Sequence, residues 1–329
     1  MFDKLLQWLK GVIDKMLGKS SIKQAMQVDI AISPKMADAI TLWSLMYENK
    51  APWLSADDVY SLNLPAAIAG EIARSVTIEM KVELSGSERA KYLQGELDRV
   101  LDKVRQQVEY GVAKGGLMIK PYIDGDHIAV DFIHADQFYP VSFDADGDVT
   151  ACIFADRRQR GDKYYTRLEY HEMQGNACLI RNKAFRSDTK DALGQEVPLA
   201  SIDEWASLLP EATITNIERP LFAYFRYPLA NNIDPSSPLG VSCYSRAVDL
   251  IRQADEHWSG FLWEFDSAKR ALYVDVLAFG KDKNNKPVIP NKRLYRTIDA
   301  GGADDALFKE WSPTIRQEDY LRGLNAILK

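Results

Sequence analysis

Residues 110–156 read YGVAKGGLMIKPYIDGDHIAVDFIHADQFYPVSFDADGDVTACIFAD, and within this stretch the repeat of the chain changes. Upstream, Leu93, Leu97, Val100, Leu101, Val104, Val108 and Val112 recur at three and four, the stripe of a helix over 88–113 that Gly115 and Gly116 stop. From Leu117 onward the period is two. LMIKPYIDGDHIAVDFI is two strands around Asp124-Gly125, a hairpin signal. The pattern recurs around Asp146-Gly147, and again around Gln174-Gly175-Asn176 in YYTRLEYHEMQGNACLIRNKAFR. An antiparallel, half-buried meander of about six strands is predicted from Leu117 to about Arg186, which with the flanking helices makes the fold class α+β.

Working back toward the N-terminus, LNLPAAIAGEIARSVTIEM (62–80) begins as a helix. Pro65 suits a first turn, and Leu64, Ile68, Ile72 and Val76 share a face with small residues, Ala69 and Ala73 among them, beside it. From Ser75 the apolar residues Val76, Ile78, Met80, Val82 and Leu84 alternate with polar ones, so a one-faced strand is predicted there. Residues 34–49 read as a helix opening at Pro34. Residues 2–17 read as an amphipathic helix that packs on its own protein or a neighbouring subunit; a membrane-surface helix would look similar.

Toward the C-terminus, residues 187–218 read as loop and short helix, 220–228 as a strand, and 229–240 as a turn-rich linker. Residues 240–270 then read as one long helix with a seam of Tyr244, Val248, Ile251, Trp258, Leu262 and Phe265. ALYVDVLAF follows as a strand, 280–311 as a turn-rich excursion, and a helix opens at Pro313. That helix reaches residue 329 without a stop signal, so the fold is expected to continue.

The chain has 329 residues, 46% hydrophobic and 27% charged, with net charge −6, a composition suited to two or three folded lobes and unlike a chain that coats nucleic acid. Cys152, Cys178 and Cys243 are odd in number and far apart, which argues against a disulfide framework or a zinc site. No apolar run suits a membrane span, and lysines interrupt the N-terminal stretch where a signal peptide would need an apolar core.

Chemistry-bearing patterns are sparse. Asp144, Asp146 and Asp148 around Gly147 resemble half a calcium loop, without the downstream Glu, and read as a hairpin tip. Asp124 and Asp126 read the same way. The phosphate-loop, nucleophile-elbow and zincin patterns are missing, so no catalytic residue, metal ligand or cofactor is assigned. His127, His134 and His171 fall in the β region, and His257 on the acidic helix. A metal-dependent hydrolase using the Asp144 group and one of those histidines is the enzymatic alternative; a monomeric adaptor or scaffold-type protein is another.

Charge is uneven. On the long helix, Asp249, Asp255, Glu256, Glu264 and Asp266 outnumber Arg246 and Arg252. Between 269 and 296, Lys269, Arg270, Lys281, Lys283, Lys286, Lys292, Arg293 and Arg296 face only Asp275 and Asp282, as in a solvated loop or a docking surface for an acidic partner. Trp258 and Trp263 lie five apart, on different helix faces, so that helix is expected to touch something on more than one side.

YENKAPW (47–53), the 62–80 stretch, the 110–156 meander and the long helix after SSPLG together resemble the portal proteins of tailed bacteriophages, of the siphophage portal or minor capsid type, in order and context over essentially the whole chain. The resemblance implies a structural, non-enzymatic virion protein. Such proteins form a ring, typically dodecameric, at one capsid vertex, assembled in the host cytoplasm, through which double-stranded DNA is packaged and ejected. It implies the terminase large subunit, a head–tail adaptor, scaffold and major capsid proteins as partners, and no membrane. Mapped by order, it implies a wing over 1–238, a first stem helix over 239–268, a clip over 269–312 and the start of a second stem helix over 313–329, with tunnel loop and crown not represented. On this mapping the acids Asp249, Asp255, Glu256, Glu264 and Asp266 line or approach the channel. Lys281, Lys283, Lys286, Lys292 and Arg293 dock partners, and Ala69, Ala73, Trp258 and Trp263 pack between subunits.

Overall fold

A computed structural model describes residues 19–55, 58–190, 192–268, 271–275, 279–283, 286–289, 295–298, 308–311 and 314–329. The fold is α+β with antiparallel sheets predominating, and it divides into two compact units: Met1–Ser55 with Asn63–Val248, and Ala56–Leu62 with Asp249–Lys329. The helix expected over 2–17 lies outside the described residues, as do Lys269, Arg270, Lys292 and Arg293.

In the first unit, α1 (Lys19–Met26) precedes α2 (Pro34–Tyr47), which starts as expected. Pro34 occupies the first turn, and the Ser33 hydroxyl accepts the Met36 N–H at 3.3 Å. Helix α3 (Leu64–Thr77) buries Pro65, Ala69 and Ala73 as it packs against α5 (Val104–Lys114).

The strand expected over 76–84 is not formed. Helix α3 runs through Val76, Ile78 still has helical angles, and an irregular stretch follows to Ser85. Alternation specifies a strand only where a sheet edge is there to receive it, and among the described residues none does, so Val76, Ile78, Met80, Val82 and Leu84 remain exposed.

The single helix expected over 88–113 is two, α4 (Glu88–Leu101) and α5, broken at Asp102–Lys103. The halves have different partners: α4 lies on residues His127–His134, whereas α5 packs on α2, α3 and residues Gly116–Asp124 as well.

The meander exists, but as parts of two sheets. β1 (Gly116–Asp124) and β2 (His127–His134) form the first hairpin, and β9 (Ala223–Arg226) joins β1 in a three-stranded antiparallel sheet. β3 (Phe138–Phe143), β4 (Val149–Arg160), β5 (Lys163–Gln174), β6 (Ala177–Ser187) and β7 (Gln195–Val197) run in order in the second sheet. β8 (Glu211–Thr215) pairs with β6 beyond β7. Ile22 and Met26 of α1 pack with Tyr139, Ile153, Leu168, Tyr170 and Phe185 to make the core on one face of this sheet. The central strands are buried on both faces, which is why Ala151–Phe154 are consecutively buried rather than alternating.

Gly115 ends α5 at φ +94°, a left-handed angle that favours glycine, and a Cβ there would meet the Gly240 carbonyl oxygen at 2.7 Å. This backbone approach also explains why the long helix starts late. Cys243 N–H donates to the Val112 carbonyl, and Tyr244, fully buried, donates its hydroxyl hydrogen to the Trp43 carbonyl at 2.9 Å. With residues 240–244 tied to α5 and α2, the helix expected over 240–270 is confined to α6 (Val248–Ser267).

In the second unit, a small mixed sheet in the order β11 (Tyr295–Ile298), β10 (Ala271–Asp275), β12 (Phe308–Trp311) separates α6 from α7 (Gln317–Leu328) in sequence. β11 runs parallel to β10 and β12 antiparallel to it. Among the described residues, no helix is long and apolar enough to cross a membrane.

Candidate functional site

Two regions concentrate charge and aromatic side chains: an ionic cluster in the first unit and the helical pair with its small basic hairpin in the second.

The cluster was hidden in the alternation of RLEYHE (167–172). Leu168 and Tyr170 enter the core beneath α1, and the alternate set, Arg167, Glu169 and His171, is covered on the other face. Glu169 accepts from Lys120 Nζ at 2.7 Å and from Arg167 at 3.0 Å, and contacts His171 Nε2 at 2.7 Å. Burial alone would raise the Glu169 carboxyl, but the His171 hydrogen bond and the Lys120 and Arg167 charges outweigh it and hold the group well below the ordinary carboxylate range. Lys120 sits 5.3 Å from the Phe154 ring centre, and Phe154 and His171 both meet Phe222 edge-on. A cleft of about 180 Å³ opens beside these groups, bordered by Asp131, Asp156 and Arg158. The carboxylates are already matched by cations from the neighbouring strands, so the arrangement staples one sheet to the other.

The histidines proposed for an enzymatic alternative are held apart by separate partners. His171 belongs to this cluster, His134 stacks on Tyr110 at 4.5 Å, and His127 lies by Glu96 and Arg99. Asp144 uses its Oδ1 to accept the Asp146 and Asp148 N–H groups, closing the β3–β4 turn on itself. Among the described residues, no group of three or more His, Cys, Asp or Glu side chains could hold a metal ion.

In the second unit, α6 and α7 pair. Arg316, just before α7, makes two hydrogen bonds of 3.1 Å to the Glu264 carboxylate, whose pKa it lowers. His257 Nε2 lies 2.8 Å from the Tyr320 carbonyl oxygen, and Phe261 packs on Tyr320. Gly323 makes the approach possible, because a Cβ there would stand 2.7 Å from the His257 ring. The segment before α3 is stapled to the same helix: Asp255 accepts the Leu62 N–H at 2.8 Å and Ser259 the Tyr60 N–H at 2.7 Å.

These contacts sort the acids expected at a channel. Asp255 and Glu264 are buried and engaged within the unit, whereas Asp249, Glu256 and Asp266 are exposed. The aromatic pair also divides: Trp258 is half-buried against Phe261, and Trp263 is 64% exposed. Ala69 and Ala73 are fully buried within the chain itself, where their small size lets α3 sit close to α5. Lys281, Lys283 and Lys286 are exposed on a tight hairpin, in which Lys281 bridges to Pro287 and Asp282 accepts the Lys286 N–H at 2.8 Å.

The model of one protein family, described as phage portal protein, SPP1 Gp6-like, matches residues 79–309, well over half of the sequence. The chain belongs to this phage portal protein family. The match takes in the ionic cluster, the whole of α6 and the basic hairpin, and it agrees with the resemblance read from the sequence. None of the curated proteins matches the chain. Within a portal protein, a structural component of the bacteriophage capsid that serves DNA packaging, the ionic cluster reads as reinforcement of the first unit.

Proposed function

We propose that this portal protein works as a closed ring at one capsid vertex, the passage through which double-stranded DNA enters and leaves. The carrying observation is the family match over a chain in which an α+β unit is followed by helix, small sheet and helix. In this reading the first unit is the wing, α6 and α7 are stem helices, and the small sheet between them, with its basic hairpin, is the clip. The division of the chain into two units supports a wing followed by a stem helix.

Exposed Asp249, Glu256 and Asp266 supply negative charge on α6. Facing the passage, they would discourage DNA phosphates from adhering to a wall past which the polymer must slide. Trp263 would pack against the neighbouring stem, since burying so large an aromatic surface favours association. Lys281, Lys283 and Lys286 would dock the terminase large subunit or the head–tail adaptor, while scaffold and major capsid proteins would hold the ring in the shell.

Electron microscopy of the purified protein tests this reading. Rotationally symmetric particles with an axial opening are expected, and compact particles of single-subunit size would overturn it. Reversing the charge of Lys281, Lys283 and Lys286 together should leave the rings intact and weaken capture of the terminase large subunit; unchanged capture would remove the docking assignment.

A further inference from the structure

Residues 80–85 pair with no strand among the described residues. The Gln94 side-chain amide imitates a partner along one edge: its oxygen accepts the Leu84 N–H at 2.6 Å and its nitrogen donates to the Val82 carbonyl at 3.1 Å. In an extended chain these groups lie on one side, so the backbone groups of Lys81 and Glu83 face the other way, toward solvent. Met80, Val82 and Leu84 are 41%, 38% and 40% exposed. An open backbone edge carrying a row of uncovered apolar side chains is matched best by another strand edge.

The chain carries such an edge. Asn182 N–H donates to the Pro210 carbonyl, which turns Pro210, Ala212 and Ile214 toward β6 and leaves the backbone groups of Glu211, Thr213 and Thr215 pointing outward from β8. Four of the five β8 residues are exposed, Ile214 by 41%. Two other edges are capped in part: the Ala31 N–H donates to the Pro140 carbonyl on β3, and the Glu96 carboxylate accepts the Ile128 N–H on β2.

We propose that residues 80–85 of one subunit add as an antiparallel strand to the outer edge of β8 in a second copy of this chain. The inference rests on the ring reading above and places one of its seams. Charge and apolar matching select the register. Val82 opposite Ile214 and Leu84 opposite Ala212 put apolar side chains on one face, with Glu83 opposite Thr213 and Lys81 opposite Thr215. Sliding two residues sets Glu83 against Glu211, like charges directly opposed, which is unfavourable. A parallel arrangement that uses the same outward backbone groups sets Glu83 against Ile214. The contact is head-to-tail, the kind that closes a ring when its rotation allows.

Disulfide trapping on the assembled protein tests the seam. Facing residues of such a pair stand about 5.5 Å apart, within reach of a disulfide. Under mild oxidation, the double variant Glu83→Cys, Thr213→Cys should shift from the monomer band to a ladder of covalent multimers, and Glu83→Cys, Glu211→Cys should stay largely monomeric. Thr213→Pro removes an outward N–H without touching the β6 ladder. It should abolish assembly while leaving subunit melting unchanged. Rings that form but give no 83–213 ladder, or that form normally with Thr213→Pro, overturn the seam and leave the ring reading standing. A wild-type protein that forms no rings overturns both.

Discussion

At the scale of single residues, the most informative position is Glu169. The alternation of RLEYHE places it on one face of a strand, but nothing in the sequence says that this face is covered, because the Lys120 that matches it lies far away in β1. The partner becomes visible only once β1 and β5 are folded. Removing Lys120 should leave a buried carboxylate without its nearest cation; Lys120→Met is expected to cost about 3–5 kcal/mol of stability, read by chemical denaturation. The acid side of the stability curve should show two stages. His134 is lowered first by burial and then by Lys114, so the unfolded chain gains a proton before the folded one as pH falls through the ordinary histidine value of about 6.5. Glu169, held low, contributes stability above the ordinary glutamate value that is lost progressively below about pH 4.3. Melting temperature against pH should therefore begin to fall near the first value and fall further below the second, and His134→Gln should remove the first stage alone. The thiols give a separate check. Burial raises Cys152 and Cys178 and pushes Cys243 up to about 11, so native protein should react slowly with a thiol reagent at neutral pH and fast once unfolded.

At the scale of elements, turns were the most legible part of the sequence. Asp124-Gly125, Asp146-Gly147 and Gly175 all sit at hairpin turns, with each glycine at positive φ, because that backbone angle is a local demand that residue type announces. Element ends and partners were less legible. The stripe over 88–113 and the seam over 240–270 are continuous in sequence, but tertiary contacts break the first at Asp102–Lys103 and delay the second to Val248. Parallel pairing of β11 with β10 had no local signal, since their connection is long. Ala69 shows a residue type whose partner the sequence does not name: its small size serves the close packing of α3 on α5. Ala69→Leu should therefore cost about 1–3 kcal/mol by overpacking, visible in the melting of the isolated subunit before any assembly step. Gly323→Val should separate α6 from α7 by forcing bulk into the His257 ring, seen as faster hydrogen exchange along α7 with the first unit unaffected.

At the scale of the whole molecule, the subunit leaves particular apolar surfaces uncovered. Trp263, the open edge of residues 80–85 and the outer edge of β8 are apolar or unpaired in ways that water tolerates but another protein surface would fill. The sequence showed the aromatic pair on α6 without showing which member is covered; Trp258 proves to be engaged with Phe261 and Trp263 is the one left out. Trp263→Ala should lower assembly while leaving subunit melting unchanged, and wild-type tryptophan fluorescence should shift to the blue as subunits associate. Native mass measurement of the purified protein over a range of concentrations tests the central claim most directly. A single high-mass species at a whole-number multiple of the subunit, persisting on dilution, is the predicted result. A species of one-subunit mass at every concentration would contradict it.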